Sequence, residues 1–150
     1  MNIYPDTTFF VALRFYDDTH HERATDFFER HGDETLLWSP WHRVEVSNAL
    51  RQFARGDAPI LKVTDARRII HRLETDVRIG YFLHMESDWR DVLRTAYEIS
   101  AEHAFARSCR AADLLHVAYA KELAADAFLS FDEDQLQLAQ AVGLSALHPA

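Results

Sequence analysis

The sequence predicts an α/β fold: a layered sandwich built on a mainly parallel central sheet. Three observations predict it. Short apolar runs of strand length alternate with amphipathic helical segments, the pattern of strand–helix–strand units. The segment from Arg110 to Ala120 is apolar on nearly every side, as a helix buried between neighbours must be. No repeat, low-complexity tract or linker breaks the series, so the 150 residues read as a single domain, 1–150, large enough for a proper core.

The elements follow in order. Asn2-Ile3-Tyr4 reads as a first strand, which Pro5 ends because it has no N–H to donate. A buried helix begins near Phe9, with Thr7 or Thr8 as cap, and an amphipathic helix is expected over Asp17–Arg30 with Ala24, Phe27 and Phe28 inward. His20 and His21 fall on its polar side; adjacent residues do not share a helix face, so they make no zinc pair. Thr35–Trp38 is a second strand. Ser39-Pro40 starts a helix that runs to about Arg55 and stops at Gly56-Asp57-Ala58-Pro59, with Val44, Val46, Ala49, Leu50 and Phe53 as its apolar face. Thr64 opens another helix, ended by Gly80. Tyr81–Met85 fits a strand or an extended packing segment equally well. A long helix runs from Ser87-Asp88-Trp89 to His103, and the buried helix and an apolar run from Ala127 to Asp132 follow. A helix over Gln135–Val142 and a strand at Leu144–Leu147 close the chain.

Composition narrows the function. The formal charge of −8 argues against a protein that coats nucleic acid, though not against an enzyme that cuts it, since a metal site gathers acids while cations sit elsewhere. Fourteen of the sixteen basic residues are arginine; a GC-rich genome accounts for that skew as well as phosphate binding does. The single cysteine, Cys109, excludes an internal disulfide and suits a reducing cytoplasm. The N-terminal residues show neither a basic start nor an apolar signal core, and no run approaches the ~20 apolar residues of a membrane span, so a cytoplasmic protein with no membrane partner is expected.

Four acids stand in apolar or structurally constrained settings: Asp6 just after the first strand, Glu45 between two valines, Asp113 in the first turn of the buried helix, and Asp132 at the end of an apolar run. An ionised carboxylate in such a place demands compensation by a cation or several donors. In a parallel sheet, ligand sites lie beyond the carboxyl ends of the strands, where Asp6 and Asp132 would both fall. Hard oxygen ligands suit Mg²⁺ or Mn²⁺, ions that keep waters and bind substrate phosphates. As a lone residue, Asp6 reads equally well as a helix N-cap, and Asp134 is an alternative to Asp132, although its position suits helix-start charge. Asn48 shares the Glu45 side of its helix, and Arg51, Arg55 and Arg110 are candidates to steer phosphate. His116, three residues after Asp113, reads as a packed core histidine. Glycine-rich phosphate loops, the G-x-S-x-G elbow and C-x-x-C pairs are all missing, and a two-carboxylate glycosidase gives no reason for four acids.

The motifs Tyr4-x-Asp6-Thr7-Thr8, Val44-Glu45-Val46-x-x-Ala49-Leu50, Arg110-x-x-Asp113-x-x-His116-x-Ala118 and Phe128-Leu129-Ser130-Phe131-Asp132, in this order and spacing, resemble a PIN domain, and more narrowly the VapC toxins of bacterial type II toxin–antitoxin pairs. The ending Phe131-Asp132-Glu-Asp-Gln-x-x-Leu138-Ala139-x-x-x-Gly143-Leu144 belongs to the same pattern, so the resemblance covers essentially the whole chain. It implies a three-layer sandwich and a Mg²⁺-dependent endoribonuclease with Asp6, Glu45, Asp113 and Asp132 as its acidic set. Asp6 and Asp113 would be the direct metal ligands, with Thr7 and Ser130 in support. It also implies a homodimer and a cognate antitoxin across the acidic cleft. Pro5 departs from the aliphatic residue usual before the first acid. Two rival functions stay open: a non-catalytic module that docks a basic peptide, and another metal-dependent phosphodiesterase.

Overall fold

A computed structural model describes all residues, Met1–Ala150. Its elements in chain order are β1 (Asn2–Pro5), α1 (Thr7–Arg14), α2 (His21–Arg30), β2 (Thr35–Trp38), α3 (Pro40–Phe53), α4 (Val63–Arg78), β3 (Phe82–His84), α5 (Trp89–His103), α6 (Ala111–Glu122), β4 (Ala127–Leu129), α7 (Glu133–Ala141) and β5 (Ser145–Leu147). The five strands form one sheet in the order β3-β2-β1-β4-β5, and every pair is parallel.

Strand alternation divides the core into two. Ile3, Leu36, Trp38, Phe82 and Leu129 face one side and pack with α1, α2, α3 and α4 through Phe9, Phe10, Phe27, Leu50 and Leu73. Tyr4, Leu37 and Phe128 face the other and pack with α5, α6 and α7 through Val92, Val117 and Leu138. With both faces covered, the strands carry apolar residues on both sides, as a parallel sheet requires. The expected three layers are therefore present. On the first face a buried ion pair, Arg14 Nε to Asp76 Oδ2 at 2.8 Å, ties α1 to α4.

Local chemistry explains the departures from expectation. The second helix starts at His21 rather than Asp17, because the Asp18 carboxylate accepts from the His20 amide and the Asp18 carbonyl from the His21 amide, a turn that precedes the helix. The tract around Tyr81–Met85 resolves into the edge strand β3, paired to β2 from Leu36↔Phe82 to Trp38↔His84. Val44 does not belong to the inner face of α3: it is 59% exposed, whereas Val46 and Leu50 are fully buried. The apolar run entering Asp132 stops pairing at Leu129, since Asp132 is already the N-cap of α7.

The strand order fixes where a site can form. From β1 the chain moves outward to β2 and β3, then returns to the opposite side of β1 for β4 and β5. Such a reversal opens a crevice above the carboxyl ends of the two central strands, here β1 and β4. Pro5 ends β1 and Leu129 ends β4, in register with each other, so Asp6 and Ser130 emerge side by side at that crevice.

Candidate active site at the carboxyl rim of the sheet

Asp6 is 1% exposed and caps α1: Oδ1 accepts from the Phe9 amide at 3.0 Å. The cap is thus Asp6 itself, and neither Thr7 nor Thr8 takes that place. Thr8 Oγ1 donates to the same carboxylate at 2.7 and 2.8 Å, and Ser130 Oγ donates to Oδ2 at 2.6 Å. Burial pushes the Asp6 carboxyl above its ordinary range, and the Ser130, Thr8 and Phe9 donors counter that only in part.

Ser130 links Asp6 to Asp132. Its hydroxyl, fully buried, accepts the Asp132 amide at 2.9 Å while donating to Asp6. The Asp132 carboxylate caps α7, accepting from the amides of Asp134 (2.9 Å) and Gln135 (3.3 Å). Asp134 is exposed on the first turn of α7, so Asp132 is the acid joined to the cluster. Gln135 is buried and turns its Nε2 onto Asp113 Oδ1 at 2.6 Å, with its own Oε1 unpartnered. Three of the four acids thus lie along one line of hydrogen bonds: Asp6, Ser130, Asp132, Gln135, Asp113.

Asp113 stands in the first turn of α6, where the positive end of the helix favours a carboxylate, and is 9% exposed. Arg110, at the N-cap position, forks over it with Nε 3.0 Å from Oδ2 and Nη2 3.4 Å from Oδ1. The guanidinium is held above its ordinary range first by this Asp113 contact and further by Asp132 and Glu45, so it senses three acids at once.

Glu45, in the second turn of α3, reaches the same mouth from the β2 side. Its Oε2 accepts from Thr7 Oγ1 and from His116 Nε2 of α6. Burial works to raise its carboxyl, but the hydrogen bond and electrostatic pull of His116, the Thr7 hydrogen bond and the Arg110 charge outweigh it and leave Glu45 below its ordinary range. Behind His116 runs a buried polar chain. Its Nδ1 lies 3.1 Å from the Tyr4 hydroxyl, Tyr4 is 3.1 Å from Ser39 Oγ, and Ser39 meets His42, whose Nε2 lies 2.7 Å from the Pro5 carbonyl.

The structure therefore gathers Asp6, Thr7, Glu45, Arg110, Asp113, Ser130 and Asp132, and leaves other candidates outside. Asn48 is exposed and makes no side-chain hydrogen bond within the chain. Arg51 lines a groove of about 420 Å³ between α3 and α4 with Arg67, Ile70 and His71, and none of the four acids lines it. Arg55 is exposed beyond the end of α3. Sequence reasoning missed Gln135, Tyr4, Ser39, His42 and the engagement of His116. The signals were the i, i+3 spacings of Ser39 with His42 and of Asp132 with Gln135, which put the second member of each pair over a helix start.

The donors are hard carboxylate oxygens, which fit Mg²⁺ or Mn²⁺ in type. As the side chains stand, no three His, Cys, Asp or Glu residues are drawn close enough to hold a metal ion. Mg²⁺ asks for less than that, since it binds through one or two carboxylates and keeps its waters. Arg110 places a positive charge on Asp113, where a divalent ion would also find its counter-charge.

The family model described as PIN domain matches residues 3–141. No curated protein matches the chain by sequence. Among solved structures, VapC20 of Mycobacterium tuberculosis, a sarcin-ricin loop cleaving toxin, is similar with a TM-score of 0.68 at 17% identity, over 98% of this chain and 99% of that one. VapBC2 from Rickettsia felis, bound to a DNA fragment from its promoter, gives a TM-score of 0.68 at 11% identity, over 99% and 98% of the two chains. FitAcB from Neisseria gonorrhoeae gives 0.65 at 18% identity, over 98% and 97%. At these identities the likeness is one of fold.

Proposed function

The chain belongs to the PIN domain family, and from that premise we propose that it is a metal-dependent endoribonuclease, the toxin of a type II toxin–antitoxin pair. The observation that carries the reading is the line of hydrogen bonds joining Asp6 through Ser130, Asp132 and Gln135 to Asp113 at the crevice between β1 and β4, with Glu45 facing the same Arg110. Four acids from distant parts of the sequence share one mouth, and they do so where the strand order reverses.

In this reading Asp6 and Asp113 hold Mg²⁺ or Mn²⁺, and Glu45 and Asp132 complete the negative field. The ion supplies Lewis-acid polarisation of a phosphoryl oxygen and lowers the pKa of the attacking water. The chain's own residues supply the frame. Ser130 and Thr8 fix the Asp6 carboxylate in one orientation, and Gln135 does so for Asp113. Glu45, kept ionised by its donors, is the acceptor suited to orient the water or take its proton. Arg110, whose side chain is 76% exposed, is free to leave Asp113 and meet the substrate phosphate.

A homodimer, an antitoxin and a cytoplasmic setting belong to the same proposal. Trp89, Leu93 and Tyr97, spaced four apart on α5, are 43, 53 and 75% exposed and give one helix face an apolar surface that fits a protein partner. No helix is long and apolar enough to cross a membrane. VapC20, similar in fold, is named for cutting the sarcin-ricin loop; the substrate proposed for this chain is RNA in general. The test is cleavage of single-stranded RNA and transfer RNA with Mg²⁺ and with EDTA, beside the Asp6→Asn and Asp113→Asn proteins. Activity that survives chelation, or survives both substitutions, ends the proposal.

A second reading draws on Arg110. The acids already accept a guanidinium, so a basic peptide would also find them complementary, and the domain would act as a docking module. Under it, the aspartate substitutions abolish partner binding while no RNA is cut by any form.

A further inference from the structure

The polar chain behind Glu45 carries an inference that rests on the proposed role of that acid. Its two ends are fixed by groups with only one hydrogen-bonding option. At one end the Pro5 carbonyl can only accept, so His42 must carry its proton on Nε2, 2.7 Å away. His42 Nδ1 is then a lone pair, and the Ser39 amide donates to it at 2.9 Å. Burial agrees with this assignment, since it pushes His42 well below the ordinary imidazole range and keeps it neutral. With that lone pair taken, the Ser39 hydroxyl proton goes to the Tyr4 oxygen at 3.1 Å. Tyr4, which has a single proton, must spend it on His116 Nδ1, also at 3.1 Å. The proton of a neutral His116 is thereby confined to Nε2, which meets Glu45 and lies 3.0 Å from Thr7 Oγ1.

We propose that His116 is a positioning residue: the chain Pro5–His42–Ser39–Tyr4 selects its Nε2–H tautomer, and that N–H fixes the Glu45 carboxylate in the mouth of the site. All four side chains of the relay are buried, with Tyr4, Ser39 and His42 at 0% and His116 at 1% exposure, so water cannot substitute for a missing member. Tyr4 also holds its ring against His42 (centroids 4.5 Å apart) and Phe128 (5.9 Å), so the hydroxyl is aimed by packing. Such outer partners of catalytic acids and metal ligands typically matter by about 10–100-fold.

The test has an arm that needs no RNA. ¹⁵N-imidazole spectra of the apoprotein at neutral pH are expected to show His116 with its proton on Nε2 and Nδ1 as a hydrogen-bonded acceptor. In Tyr4→Phe, which removes one oxygen from a packed ring, the same spectra should show Nδ1 stripped of its hydrogen bond, with the Nε2–H then held by Glu45 alone. An imidazolium or an Nδ1–H tautomer in the native protein overturns the proposal, and so does an unchanged spectrum in Tyr4→Phe. The kinetic arm compares His116→Leu with His116→Gln, whose amide N–H can still reach Glu45. Leucine should lower kcat about 10–100-fold with little change in KM, and glutamine should recover at least part of the loss. Equal kcat in the two variants overturns it. If the native protein cuts no RNA at all, the nuclease reading fails, while the spectra still decide the tautomer.

Discussion

Asp6→Asn sets stability against function in one substitution. The carboxylate is 1% exposed, and its burial raises the folded carboxyl above the ordinary range despite donors from Ser130, Thr8 and the Phe9 amide. Asparagine keeps the acceptor for Phe9 and Thr8, and its amide can donate to Ser130 Oγ, so the cap survives. What is lost is the extra strength of bonds to a charge and the acceptor for the buried Ser130 hydroxyl proton; what is relieved is the desolvation of that charge. Because burial holds the folded carboxyl above its ordinary range, relief wins at neutral pH, and the variant should melt above the native protein. The sign with pH follows. The stability linked to Asp6 protonation is fully present below the unfolded carboxyl pKa, about 4, and is lost as pH rises through the higher folded value. The variant's advantage over the native protein should therefore be largest near neutrality and close on acidification. With Mg²⁺ at ~100 times its Kd the native protein would gain about 2.7 kcal/mol and overtake the variant, which should gain little. Thermal denaturation in EDTA from about pH 7.5 down to about pH 4, repeated with Mg²⁺, reads all of this. A variant less stable than the native protein in EDTA, with a gap indifferent to pH, would refute the reasoning that burial dominates at Asp6.

Three further outcomes are expected. Arg110→Gln removes a largely exposed cation from Asp113; at roughly 0.5–1 kcal/mol for such a pair, Mn²⁺ should bind about two- to fivefold tighter by calorimetry, and unchanged affinity would show that Arg110 does not compete for the site. Arg14→Met leaves the Asp76 carboxylate buried without its partner, a loss of about 3 kcal/mol that should lower Tm by roughly 6–12 °C while Mn²⁺ affinity holds. Gly143→Ala forces an L side chain to φ +91° after α7, where no atom crowds a Cβ, so backbone strain alone should cost about 1–2 kcal/mol in urea unfolding.

The layered fold was legible because two periodicities announce it. The strands carry apolar residues on both faces, and α2 and α4 carry a single inward stripe. Boundaries failed where side chains, rather than propensity, decide them: Asp18 delays α2, and the Asp132 cap starts α7 at Glu133, ahead of the Gln135 expected. Val44 looked inward because it stands next to Glu45 and Val46, but residues two apart fall on opposite sides of a helix, and Val46 takes the inner one. Of the site, the four acids were legible one by one, as charges without an evident counter-charge. Their connectors were not. Ser130 was named only through the family pattern, and Gln135 takes its meaning from a contact 22 residues away in sequence that nothing in local pattern encodes. His116 was legible as buried and misread as idle, since burial and hydrogen bonding to a distant glutamate leave the same local signature.

Pro5 sets a rule for how this chain can drift. Alternation along β1 turns its nitrogen toward β2, where β1 and β2 pair in register only at Asn2↔Thr35 and Ile3↔Leu36. Beyond that seam an imidazole from α3, not a neighbouring strand, satisfies the Pro5 carbonyl. Homologues that replace His42 with an apolar residue would strand that carbonyl whatever residue stands at 5, so they should have brought a donor from elsewhere. Position 42 should thus hold to a donor, although it is no acid of the cleft.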